Sequence, residues 1–199
     1  MSEPVRAFLA VEFPEDVQDE IARAAGPLRE IAPGDARFVP PENLHLTLKF
    51  LGNLEPENLP RLLRGALPRL AKTEPFEIKL GGFGAFPSAR AARVLWVGVS
   101  EGVVPLARLA RGLDAAASRA GVERERRPYR GHLTVARLRQ PAEVPILGLE
   151  GPSGVNVVVR EVVLFRSDLS QTGARYSPLA RIPLGAAARD FELESTPAG

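Results

Sequence analysis

The sequence predicts an α+β fold with largely antiparallel sheets. Strand-like and helix-like segments are mixed without the regular βαβα rhythm of a doubly wound sheet. No low-complexity tract or fixed-period repeat appears, yet one short signature recurs, as His45-Leu46-Thr47-Leu48 and His132-Leu133-Thr134-Val135.

Residues 5–12 alternate toward a strand, and Phe13-Pro14-Glu15-Asp16 then opens a helical pattern, with proline and acids in its first turn, that runs to about residue 31. Residues 43–51 read as a second strand. Period-2 alternation sets Leu44, Leu46, Leu48 and Phe50 on one face and His45, Thr47 and Lys49 on the other. Leucines at 59, 62, 63, 67 and 70 have helical spacing, within limits set by Pro60 and Pro68. Residues 76–83 and 93–99 read as strands around a turn-rich passage, and residues 103–120 as an amphipathic helix ended by Gly121. Residues 131–136 form a strand whose His132 and Thr134 share a face. Residues 155–166 and 174–184 supply the last strands, and residues 185–199 read as a flexible C-terminal tail on a single domain of residues 1–184.

Composition narrows the chemistry. The chain has 199 residues, 45% hydrophobic and 25% charged, which suits a folded soluble protein with a substantial core. It has no cysteine, so disulfides, thiolate catalysis and cysteine-ligated zinc are excluded. The first residues lack a long apolar stretch, and no run of about 18 apolar residues occurs anywhere, so a cytoplasmic protein without membrane contact is expected. Net charge is only +2, but seven arginines (119, 124, 126, 127, 130, 137 and 139) face two acids, Glu123 and Glu125, between residues 119 and 139. Such a patch suits phosphates.

His45 and His132 are the only histidines, and each stands in the same His-Leu-Thr-aliphatic setting on an expected strand. Residues i and i+2 project from one face, so each copy offers an imidazole and a hydroxyl side by side over an aliphatic anchor. Imidazole titrates near neutrality, so one histidine can take a proton from water while the other gives one to a leaving group. In-line opening of a cyclic phosphate needs base and acid on opposite sides of phosphorus, which two separate strands provide. The residues alone leave open which histidine is which. No carboxylate or cysteine sits at familiar ligand spacing beside either, so no metal site and no cofactor are expected. Arg130, two residues before His132, is the candidate for an added phosphate contact. Phe50, Phe86, Trp96 and Tyr129 are candidates to stack a base, although core packing is the expectation for Phe50 and Trp96.

Nearly the whole chain resembles the 2H phosphoesterase superfamily, most closely its bacterial and archaeal 2′-5′ RNA ligase-like branch, the RNA 2′,3′-cyclic phosphodiesterases. The resemblance rests on Arg6-Ala7-Phe8-Leu9-Ala10, the run from Asn43 to Gly52 around the first His-x-Thr, Phe83-Gly84-Ala85-Phe86-Pro87 before Arg93-Val94-Leu95-Trp96-Val97-Gly98, and the run from Arg127 to Arg137 around the second. The late runs 164–169 and 173–176 also fit. It implies two pseudo-symmetric lobes of mainly antiparallel sheet with outer helices around a central cleft, each lobe giving one His-x-Thr strand. It further implies hydrolysis of RNA or nucleotide 2′,3′-cyclic phosphates to a 2′-phosphate without metal or cofactor, with weak reverse 2′-5′ RNA ligase activity. His45 is then the proton donor, His132 the acceptor, and Thr47 and Thr134 the phosphate binders. Gly131 departs from the proline common before the second histidine. The partners implied are RNA with 2′,3′-cyclic phosphate ends or cyclic nucleotides, with no protein partner and a monomeric enzyme. The competing readings are a 2′-5′ oligonucleotide phosphodiesterase using the same site and an RNA-binding module without significant turnover.

Overall fold

A computed structural model of the chain describes residues 3–152, 154–170 and 173–191. Its strands are β1 (Val5–Glu12), β2 (Arg37–Phe38), β3 (His45–Leu54), β4 (Phe76–Phe86), β5 (Ala92–Glu101), β6 (His132–Ala142), β7 (Asn156–Val159), β8 (Glu161–Ser170) and β9 (Gly173–Pro183). Its α-helices are α1 (Glu15–Ala24), α2 (Gly26–Ile31), α3 (Leu59–Leu70) and α4 (Val103–Arg119). Every strand pairing is antiparallel, so the expected class holds.

The strands form one sheet in the order β7-β4-β5-β6-β3-β1-β8-β9, with β2 added to β6. Read outward from its centre, the sheet is two four-strand halves, β3-β1-β8-β9 and β6-β5-β4-β7. Each half begins with a His-x-Thr strand paired to a strand that precedes it in the chain. The halves meet at one register pair among the described residues, Leu46 opposite Leu133, both fully buried.

One face of the sheet is sealed by helices. Leu62, Leu63, Ala66 and Leu70 of α3 and Leu106, Leu109, Leu113 and Ala116 of α4 join Leu46, Leu48, Leu133 and Val135 in the main core. Burying this apolar area is the principal stabilising term. In β1 the alternation splits cleanly. Ala7, Leu9 and Val11 enter that core, while Phe8 and Ala10 join Val163, Phe165 and Tyr176 in a second cluster on the opposite face.

Four of the chain's secondary-structure segments depart from the sequence expectations. The helix expected to run to residue 31 breaks at Ala25, because Pro27 has no N–H to continue the ladder and instead starts α2. The strand expected over 155–166 is two strands parted at Arg160, where the chain leaves the edge beside β4 and crosses to β1. β2 is too short for any periodicity to reveal. The expected tail from residue 185 begins with a 3-10 helix, Gly185–Asp190, in which Ala188 is buried, and its remainder from residue 192 lies outside the described residues. None of the helices among the described residues is long and apolar enough to cross a membrane.

Candidate active site

From their histidines onward, β3 and β6 repeat the same order of half-buried, buried and exposed positions over residues 45–53 and 132–140. His45, Thr47, His132 and Thr134 are all half-buried, on the face away from the helices. Continuing the Leu46–Leu133 register one residue each way sets His45 opposite Thr134 and Thr47 opposite His132. The four side chains make a two-by-two patch with the imidazoles on one diagonal and the hydroxyls on the other. Diagonal neighbours in a sheet stand about 7–8 Å apart, which leaves room for a tetrahedral anion between the rings.

Both imidazoles are fixed the same way. His45 Nδ1 donates to the carbonyl of Asn43 (2.8 Å), and His132 Nδ1 donates to the carbonyl of Arg130 (2.8 Å). A carbonyl accepts only, so Nδ1 carries the proton and Nε2 is left to exchange one. Nε2 of His45 stands 3.1 Å from Thr47 Oγ1. Asn43 is held in turn by its side-chain amide, which donates to the carbonyl of Ala174 in β9 (3.0 Å). Tyr129 Oη donates to the Thr47 carbonyl (3.0 Å), linking the approach to β6 with the strand of the other motif.

Aromatic walls surround both rings. His45 lies against Phe8 (centroids 4.7 Å apart) and edge-on to Tyr176 (5.1 Å), and His132 is edge-on to Phe86 (4.9 Å) with Trp96 beyond (6.2 Å). Burial among these rings lowers the pKa of each histidine below its ordinary value, partly opposed by the carbonyl hydrogen bonds, and the charge of Arg137 lowers both further. Trp96 is buried over two glycines: a Cβ on Gly84 would come within 2.0 Å of the indole. Its Nε1 has no hydrogen-bond partner.

A one-residue bulge follows each threonine, at Leu48 in the pairing of β3 with β1 and at Val135 in the pairing of β6 with β5. A bulge reverses the in-out alternation beyond it. Lys49, expected beside His45, therefore turns inward, where its Nζ meets Asp114 of α4 (2.7 Å) and donates to the Glu123 carbonyl (2.7 Å). Phe50, expected in the core, is 61% exposed and reaches the cleft face near Phe8. At the matching position of β6 stands Arg137, exposed and acting on both imidazoles. Sequence reasoning placed Arg137 in the basic patch but not in the site. No side-chain pattern in the sequence marks the bulge that brings it there.

Arg130 does reach the cleft side. Its guanidinium lies over Trp96 (4.8 Å) and near Phe86 (5.9 Å), while its carbonyl orients His132. The rest of the arginine patch does not act as a unit, since Arg124 pairs with Asp114 and Arg126 with Glu123. Gly131, which stands where the resembled family commonly has proline, has little space: a Cβ there would stand 2.8 Å from Leu106 Cδ2, so a ring would displace that methyl. No three His, Asp or Glu side chains converge to hold a metal among the described residues.

Comparison with known proteins follows the same division of the chain. The profile of the LigT-like phosphoesterase family matches twice, over residues 11–96 and 97–176, one match for each His-x-Thr motif. A Methanothermobacter thermautotrophicus protein named RNA 2′,3′-cyclic phosphodiesterase is 38% identical over 180 residues, covering 88% of this chain and 96% of its own. A Thermus thermophilus protein of the same name is 38% identical over 191 residues, covering 90% of each. The crystal structure of Escherichia coli LigT in its apo form superposes with a TM-score of 0.77 at 28% identity, covering 92% of this chain and 99% of that one.

Proposed function

The chain belongs to the LigT-like phosphoesterase family, and we propose that it is an RNA 2′,3′-cyclic phosphodiesterase whose two histidines open the ring by general acid–base catalysis. The observation that carries the mechanism is the matched pair of Nδ1–carbonyl hydrogen bonds, which leaves Nε2 of both rings available across one patch. In the proposed step, neutral His132 takes a proton from water as the water oxygen bonds to phosphorus. Protonated His45 gives its proton to the departing 3′-oxygen, and the P–O3′ bond breaks. A 2′-phosphate and a free 3′-hydroxyl result, and the two histidines return to their starting states by exchange with solvent. Thr47, Thr134 and the guanidiniums of Arg130 and Arg137 stabilise the charge on the non-bridging oxygens. An RNA 5′-hydroxyl entering in place of water gives a 2′-5′ linkage by the same geometry, so weak ligation accompanies hydrolysis.

Phosphorus NMR of 2′,3′-cyclic AMP turnover in excess EDTA tests this reading. Undiminished production of 2′-AMP is expected. A 3′-AMP product would reverse the donor and acceptor, and turnover that stops on chelation and returns with a divalent ion would move the chain to another mechanism.

The lowered histidine pKa values set the pH profile. Activity needs one imidazole protonated and one neutral, so kcat/KM, which reports the free enzyme, peaks below pH 6.5, the ordinary histidine value. As pH rises past the donor's lowered pKa the donor empties, and as pH falls past the acceptor's the acceptor fills. Bound phosphate favours imidazolium, so the kcat profile lies at higher pH than that of kcat/KM. Arg137→Gln, which removes a positive charge, moves the alkaline limb of kcat/KM upward. An unmoved limb would mean that Arg137 does not face the rings.

A further inference from the structure

On the helical side of the sheet, away from the cleft, α3 and α4 run antiparallel and leave a groove of 430 Å³ between them. Gly65 lies against Ala116 and Gly112 against Arg69, where added Cβ atoms would stand 3.3 Å from Ala116 Cβ and 3.0 Å from Arg69 Cδ. The groove is lined by Arg64, Arg69, Lys72, Arg108 and Arg119, with no carboxylate. All five are exposed, and among the described residues none makes an ion pair.

The register of the two helices groups these charges. With Gly65 beside Ala116 and Gly112 beside Arg69, Arg64 and Arg119 share one end, Lys72 and Arg108 share the other, and Arg69 lies between. At about 1.5 Å per helical residue the two ends stand roughly 12–16 Å apart. Five exposed cations with no ion-pair partner among the described residues repel one another, so an entering anion stabilises the arrangement. A single phosphate can engage one end, whereas a polymer with regularly spaced charges engages both. Four of the five are arginines, whose planar fork matches phosphate oxygens. Of the apolar lining, Leu109 and Leu113 are buried in the groove floor and only the small ring of Pro68 is exposed, which does not suit insertion into a lipid surface.

We propose that the α3–α4 groove is a second RNA-binding site that holds the phosphate backbone of the substrate's body while its cyclic end occupies the cleft on the other face. The identity of the polyanion rests on the RNA reading above; the charge arrangement does not. The groove cannot serve a mononucleotide bound in the cleft, since the sheet separates them. It therefore adds affinity only for an RNA long or folded enough to pass round the sheet edge, by the gain that a second linked contact brings.

The test compares the parent with the charge-reversal variant Arg64→Glu/Arg108→Glu, which alters one exposed cation at each end. Substrates are 2′,3′-cyclic AMP and a folded RNA of tRNA size with a 2′,3′-cyclic phosphate end. Expected are unchanged kcat and KM on the mononucleotide, a KM for the RNA raised on the order of tenfold, and a slope of log affinity against log salt reduced by roughly one per cation removed. Fluorescence anisotropy with the same RNA ending in a 3′-hydroxyl reads the groove without catalysis, so it distinguishes failure of the groove from failure of the phosphodiesterase reading. Equal affinity and salt slope for parent and variant would overturn the proposal. So would binding to phosphatidylserine vesicles but not RNA, abolished by the same substitutions.

Discussion

Replacing either histidine with alanine lowers kcat by about 10²–10⁴, the usual worth of a positioned acid or base, and leaves the fold standing. His45 and His132 are half-buried, and each is held by one backbone carbonyl that water can satisfy once the ring is gone. Neither belongs to the core that joins sheet and helices. Because the two act in one step, removing both should cost little more than removing the worse one, so the double variant is the sharper measurement. His45→Ala also empties space between Phe8 and Tyr176, and His45→Gln, which refills it without an acid in this pKa range, should be as inactive. Near-normal turnover by either single variant on 2′,3′-cyclic AMP, with circular dichroism unchanged, would remove the paired mechanism.

The strand period carries much of this site in the sequence. Alternation alone sets His45 with Thr47, and His132 with Thr134, over leucines that point into a core, and the structure keeps that arrangement. What alternation cannot carry is the bulge one residue later, because an inserted residue has no side-chain signature and only the partner strand reveals it. That is why Lys49 and Phe50 exchange their expected faces and why Arg137 enters the cleft unannounced. The contacts of Asn43 with Ala174 and of Tyr129 with Thr47 bridge segments far apart in the chain, through backbone carbonyls that every residue has. The division between β7 and β8 was hidden for a related reason. Two apolar-rich stretches, 155–159 and 162–165, are parted only by Arg160 and Glu161 and so read as one strand whether or not the chain changes neighbours there, and here it passes from one half of the sheet to the other. Arg130 was expected on the cleft side because it is two residues from His132, but it precedes β6, and what the structure adds is its carbonyl bond to the ring.

The junction of the two halves carries the second large effect. Leu46 and Leu133 face each other where β3 and β6 meet, both with no exposure to solvent, directly behind the four polar groups of the patch. Truncating either to alanine replaces a buried isobutyl group with a methyl in a seam packed by α3 and α4 on one side and held by one register pair among the described residues. Leu46→Ala and Leu133→Ala should each destabilise the protein by about 2–5 kcal/mol in urea unfolding, the range for leucine truncation with partial collapse of the cavity. Leu147→Ala, at a site 99% exposed, should stay within about 0.5 kcal/mol and serves as the control. Because the two leucines are register partners on one face of the same core, their effects should not add, and the cost of the double variant should differ from the sum of the singles by about 0.5 kcal/mol or more. Turnover should fall in the folded fraction as well, since the distance between His45 and His132 is set across this seam and loosening it misplaces the base relative to the acid. A cost below about 1 kcal/mol for both single variants would mean that the halves are held together elsewhere, by the helices rather than by the strand pair that joins the two histidine motifs.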